Sequence, residues 1–154
     1  MPPPVAAPCP DIDSLSQRLT GHRLPGGHYE ITADAATAVA RLTGWEAPEP
    51  HPVFASIASL RSLGVSIEQL CELCEFRLED GPMLGEFAVN FHRELQQGVP
   101  YRTEAHIVSF DRRHSARVGV LDRLRFAVQI QTTDGTPVAE LSYLWLLPRG
   151  GAAP

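Results

Sequence analysis

The apolar residues of this chain change their spacing once, near residue 83, and that change limits what the chain can fold into. Before it they recur every three or four residues, and after it they alternate. Phe87, Val89 and Phe91 alternate with Glu86, Ala88, Asn90 and His92. Residues 101–110 read as a second long strand. In a third, Leu124, Phe126, Val128 and Ile130 alternate with Arg123, Arg125, Ala127 and Gln129. Asp134-Gly135 is a hairpin turn signal. Residues 138–147 form a fourth strand that ends at Pro148.

The first half carries the helices. His28-Tyr29-Glu30-Ile31 is a short strand candidate. Thr32 then suits an N-cap, with Asp34 in the first turn, where the helix dipole favours negative charge. Ala35, Val39 and Leu42 recur at helical spacing until Gly44 supplies a stop. A proline-bearing loop over 45–50 leads to Pro52, which fits a first helical position. Val53, Phe54, Ile57, Leu60 and Leu63 make a broad apolar stripe, with Ala55 and Ala58 filling in, as on a helix laid against a sheet. Ser66-Ile67-Glu68-Gln69 resembles a capping box, so helix restarts after Gly64 and carries Ile67, Leu70, Cys71 and Cys74. Two helices followed by four long antiparallel strands is an α+β layout, with one sheet wrapped on a central helix.

At 154 residues the chain suits one domain. The expected division is a Pro-rich tail over 1–25, a single domain over 26–149 and a frayed end over 150–154. A net charge of −5 argues against a broad nucleic-acid surface, which needs clustered positive charge. No apolar run reaches transmembrane length, and the first ten residues hold five prolines and no basic stretch, unlike a secretory signal. The cytoplasm is the expected location. All 13 basic residues are Arg, which excludes lysine Schiff-base and Walker-lysine chemistry.

Several stretches are similar to the MaoC-like branch of the hotdog hydratases and dehydratases. They are Tyr29-Glu30-Ile31-Thr32 with the Ala-rich helix to Gly44, and His51-Pro52-Val53-Phe54-Ala55. The others are Val89-Asn90-Phe91-His92-Arg93-Glu94-Leu95 with Gly98, and the final strand ending Leu147-Pro148-Arg149. The resemblance spans roughly residues 26–149. It implies a hotdog fold, a curved antiparallel sheet around a central helix. It also implies hydration or dehydration of an acyl thioester of coenzyme A or acyl carrier protein, with no metal and no cofactor. In that family an Asp and a His in an Asp-x-Asn-Pro-x-His segment form a general acid–base pair.

This chain departs from that segment, because Trp45 follows Gly44. Glu46 and His51 keep the five-residue offset of the pair, but Ala47-Pro48-Glu49-Pro50 does not match what lies between. In a second alignment His51-Pro52 matches the family's later His-Gly segment at the start of the central helix, and the dyad is missing. The resemblance then implies one hotdog half that pairs with a dyad-bearing half.

His51 is therefore either a base or donor beside a thioester or a loop histidine near a cap. The helix dipole there favours the neutral ring, which suits a base. Glu46 is its weaker partner, and Glu46 and Glu49 also read as solvated loop carboxylates. Phe54 is expected to line the acyl channel, as are the strand aromatics if they are not simply core. Arg93 either meets a carrier phosphate or joins a surface ion pair. Arg112, Arg113, His114 and Arg117 read as a charged hairpin or as a dock for an acidic carrier. Cys71-x-x-Cys74 lies within a helix with no second Cys or His cluster, which suits two half-buried cysteines rather than a metal or redox site. The leading expectation is a hotdog acyl-thioester hydratase or dehydratase acting as a homodimer or heterodimer. The competing one is a non-catalytic structural or acyl-binding subunit. A thioesterase would need a carboxylate on the central helix, and residues 56–64 offer none.

Overall fold

A computed structural model describes residues 9–150. Residues 1–8 of the expected tail and 151–154 of the expected frayed end lie outside the described residues. Helix α1 (Ile12–Leu19) leads into strand β1 (Arg23–Glu30) and helix α2 (Ala33–Thr43). Helices α3 (Phe54–Arg61) and α4 (Ile67–Leu73) follow, then a single 3-10 turn over Leu78–Asp80. Strands β2 (Met83–Phe91), β3 (Pro100–Ser115), β4 (Gly119–Thr132) and β5 (Pro137–Gly150) complete the chain. All five strands form one antiparallel sheet in the order β1-β3-β4-β5-β2.

The packed part of the chain starts earlier than residue 26. Asp11 caps α1 by accepting from the Ser14 N–H at 3.0 Å, and α1 buries Leu15 and Leu19 completely. Leu24-Pro25-Gly26-Gly27 lies inside β1 as a bulge against β3. Gly26 holds φ +71°, and a Cβ there would run into the Thr103 carbonyl. The Thr103 hydroxyl, buried beneath, donates to the Ser62 carbonyl at 2.6 Å and also meets the Gly27 backbone. One side chain thus ties β1, β3 and the end of α3 together.

The segment beginning at Val53 lies against one face of the sheet, as expected. Phe54, Ala55, Ala58 and Ser59 face inward, and the two alanines let the α3 backbone approach the strands closely. Ile107, Leu124, Phe126 and Ile130 are sealed beneath it. Burial a side chain of this size contributes about 1.5–3 kcal/mol each. The expected capping box forms: the Ser66 side chain accepts from the Gln69 N–H, and the Gln69 side chain accepts from the Ser66 N–H. Thr32 caps α2 and Gly44 ends it in a left-handed conformation. The α2 stripe packs only through Ala35, Ala36 and Val39, and Leu42 is 85% exposed.

The outer face of the sheet carries a ladder of ion pairs. Asp111 accepts two bonds from Arg123 at 2.8 and 3.1 Å, and Glu86 meets Arg125 at 3.1 Å. On the opposite face, at the far end, Asp122, fully buried, accepts from Arg112 at 2.6 and 3.1 Å and from Arg149 at 2.7 Å. Those bonds hold the Arg112 guanidinium above its usual pKa range. Arg112, expected in a charged hairpin, lies in the β3–β4 hairpin and bonds this buried carboxylate. Arg149 continues past it to the Cys74 and Glu75 carbonyls at the end of α4. The end of β5 is thereby bolted to the helix layer.

Candidate functional site at the head of α3

His51 sits where the loop after α2 turns into α3, and its ring is half-buried. The loop is held by Trp45, whose Nε1–H donates to the Glu49 carbonyl at 2.7 Å. Trp45 also meets the His51 ring edge-on, at 4.8 Å between centroids. On its other side His51 Nδ1 accepts from the Val53 N–H at 2.9 Å. The histidine therefore serves as the cap that Val53, with no side-chain acceptor of its own, cannot provide. An Nδ1 occupied as an acceptor fixes the tautomer of the neutral ring, with the proton on Nε2.

The first amides of α3 are already used. Pro52 has no N–H, the Val53 N–H goes to His51, the Phe54 N–H to the His51 carbonyl and the Ala55 N–H to the Pro52 carbonyl. The other expected site residues do not gather around His51. Glu46 is exposed and makes no hydrogen bond to it. Phe54 is 1% exposed, inside the core. Arg93 is exposed just beyond β2, where its N–H and that of His92 both meet the Val138 carbonyl.

A hydroxyl cluster went unseen in the sequence. Tyr143 on β5 lies 2.6 Å from Ser59 Oγ and 3.3 Å from Ser56 Oγ. Its ring stacks on Phe126 at 4.8 Å and meets Phe87 at 5.1 Å. The available signal was the Ser56/Ser59 spacing, which puts both hydroxyls on one helical face. Of the strand aromatics, Phe126 and Trp145 are core, while Phe87 and Phe91 are about two-fifths exposed, at 43% and 40%.

Cys71 and Cys74 are buried free thiols, more deeply sealed than expected. Burial raises both pKa values, that of Cys74 to about 12. Among the described residues no group of three or more His, Cys, Asp or Glu gathers as a metal ion requires. No helix there is long and apolar enough to cross a membrane. A trough of about 730 Å³ opens on the outer face of the sheet, lined by residues such as Asn90, Glu104, His106, Gln129 and Ser142. None of the expected site residues lines it.

No family model and no curated protein matches the sequence. Solved structures do match in shape. A chain of the C-terminally truncated HadBC (3R-hydroxyacyl-ACP dehydratase) complex from Mycobacterium tuberculosis superposes with a TM-score of 0.62 at 16% identity. The match covers 83% of this chain and 96% of that one. The ChsH1-ChsH2 complex from the same organism gives 0.64 at 13% identity, over 93% and 92%. The chain has the hotdog fold. A MaoC-like dehydratase from Rhodospirillum rubrum shares it at a TM-score of 0.58 and 11% identity, over 84% of this chain and 92% of that one. In hotdog terms α3 is the central helix, and the sheet that wraps it is the expected curved antiparallel one.

Proposed function

We propose that this hotdog chain handles an acyl thioester of coenzyme A or acyl carrier protein, as a hydratase or dehydratase or as a subunit of one. The observation that carries the reading is the half-buried His51 at the head of the central helix, oriented by Val53 and Trp45. Hydration puts a hydroxyl on the β-carbon and a proton on the α-carbon, and dehydration reverses both transfers. One group takes a proton from water and another delivers one to carbon. With Nδ1 engaged, the neutral ring of His51 offers Nε2–H to hold the water, and the Glu46 carboxylate takes the water's proton; delivering a proton to carbon would require the imidazolium, whose Nδ1 no longer accepts from Val53. Serving as the base instead would require His51 to release Val53. Phe54, under the first turn of α3, forms the apolar floor, and Arg93 is the cation for a carrier phosphate.

Two observations favour a second reading, in which a partner hotdog subunit brings the acid–base pair. Glu46 makes no hydrogen bond to His51, and the N–H groups of Val53, Phe54 and Ala55 at the head of α3 already have partners, so these three do not polarise a thioester carbonyl.

Hydration of a crotonyl thioester by the purified chain tests both. Activity that falls about 10²–10⁴-fold in His51→Ala supports the catalytic reading. His51→Asn retains a cap acceptor and so separates chemistry from folding. A chain inactive alone, but required for full activity of a dyad-bearing hotdog partner, supports the second. Inactivity in both settings, with no thioester binding, overturns the proposal.

A further inference from the structure

Three hydroxyls meet between α3 and β5, and their protons can be assigned by counting. Ser59 Oγ–H donates to the Ser56 carbonyl at 2.8 Å. A hydroxyl has one proton, so Tyr143 is the donor in its 2.6 Å contact with Ser59 Oγ. That uses the Tyr143 proton, and in the 3.3 Å contact the donor is therefore Ser56 Oγ–H. All three protons run one way, from Ser56 to Tyr143 to Ser59 and on to the Ser56 carbonyl.

This chain has one open end. Ser59 and Tyr143 are buried, while Ser56 is half-buried. Ser56 Oγ gives its proton to Tyr143 and receives none from any described residue. An oxygen that donates into a chain of hydrogen bonds becomes a better acceptor, because each bond polarises the next. Ser56 Oγ is thus a strengthened acceptor that lacks a donor. The groups around the chain are otherwise apolar. Phe87 and Phe126 pack on the Tyr143 ring, Phe87 is half-exposed, and Ile57 and Leu60 on α3 are only partly buried. An apolar wall with one unfilled acceptor fits a mostly apolar ligand that carries one hydroxyl.

We propose that Ser56, oriented by Tyr143, is a specificity residue that takes a hydroxyl on the acyl chain, several carbons beyond the thioester. The inference rests on the thioester reading and adds to it the class of acyl group, a chain with a distal hydroxyl rather than a plain alkyl chain. Ser56 lies five residues past His51, roughly 7 Å farther along α3 at a rise of about 1.5 Å per residue. That depth separates it from the β-carbon, where hydration places its own hydroxyl. The substrate hydroxyl donates to Ser56 Oγ. A keto group, which only accepts, leaves that oxygen unfilled.

Calorimetric binding of hexanoyl- and octanoyl-coenzyme A, each with and without a terminal hydroxyl, tests the subsite. For one of the two lengths the hydroxylated thioester should bind about three- to tenfold tighter than its plain counterpart, the gain of one ordinary hydrogen bond. Ser56→Ala and Tyr143→Phe should bring that ratio to one or below, each variant's plain thioester serving as its own reference. Ser56→Thr, which keeps the hydroxyl, should retain the preference. Alanine favours a helix, so circular dichroism should show Ser56→Ala folded. Equal or weaker binding of both hydroxylated chains by the wild type overturns the inference and leaves the thioester reading standing. A preference that survives Ser56→Ala overturns the role of Ser56. Failure of the wild type to bind any of the four thioesters overturns both.

Discussion

Asp122 is the buried group on which the lower end of the molecule depends, and replacing it by Asn isolates its charge. Its side chain is fully buried, while those of Arg149 and Arg112 are 6% and 15% exposed. Asn keeps the volume but leaves two guanidinium groups facing a neutral amide, one of whose atoms is itself a donor. Removing one member of a buried ion pair typically costs about 3–5 kcal/mol, because the remaining charge stays buried without compensation. A domain of this size has about 5–15 kcal/mol in total. With a urea dependence of about 2 kcal/mol per molar, the unfolding midpoint should fall by roughly 1.5–2.5 M. Glu104→Gln is the control. It breaks pairs with Arg23 and Arg102 at 3.4 and 3.3 Å, but those side chains are 41–76% exposed, so about 0–1 kcal/mol is expected. Urea unfolding at fixed protein concentration measures both. If Asp122→Asn shifts the midpoint no further than Glu104→Gln, the network does not hold β5 to α4, and the energetic reasoning fails.

The remaining expectations follow from packing and from the thiols. Gly64→Ala should destabilise by more than about 1 kcal/mol, because φ is +78° and a Cβ would press on Pro25 and Gly26; Gly135→Ala, at φ +88° with open space around it, should cost less in the same thermal melts. A thiol reagent should label Cys9 alone in the native chain and all three cysteines in denaturant, since Cys71 and Cys74 are buried and Cys9 is exposed. The raised Cys74 pKa means the folded thiol keeps its proton where the unfolded one has lost it. Stability should therefore fall as pH rises from about 9 toward 12, by at most about 1.4 kcal/mol per pH unit for this group, and Cys74→Ala should flatten that fall in urea titrations. Tyr143→Phe should cost about 1 kcal/mol in urea unfolding, leaving Ser59 with its bond to the Ser56 carbonyl.

Elements whose sequence pattern is local were legible in advance. The period-two strands, the Ser66 capping box and the Thr32 and Gly44 caps all depend on residues within a turn of one another. The strand at Leu24-Pro25-Gly26-Gly27 was not legible, because what makes it a strand is a contact with Thr103, some 76 residues away. Propensity alone favours a break there. The partner of Arg112 was illegible for the same reason. Its neighbours in sequence are basic, so the segment looks like a free cationic hairpin, yet its partner is across the strand pair on β4.

His51 shows how far the candidate site could be read. Its position at the head of the central helix followed from Pro52 and the apolar stripe. The atom it commits could not be read, because that depends on where the Val53 N–H points. Once Nδ1 holds that N–H, the residue that stabilises the helix start is the same one whose neutral ring carries its proton on Nε2. The spacing of Glu46 and His51 suggested a pair, but loop residues five apart need a turn to bring them together. The turn that forms is built by Trp45 and Glu49 instead, and it orients His51 without Glu46. His51 is thus held on one side by Val53 and Trp45, while Glu46 is exposed.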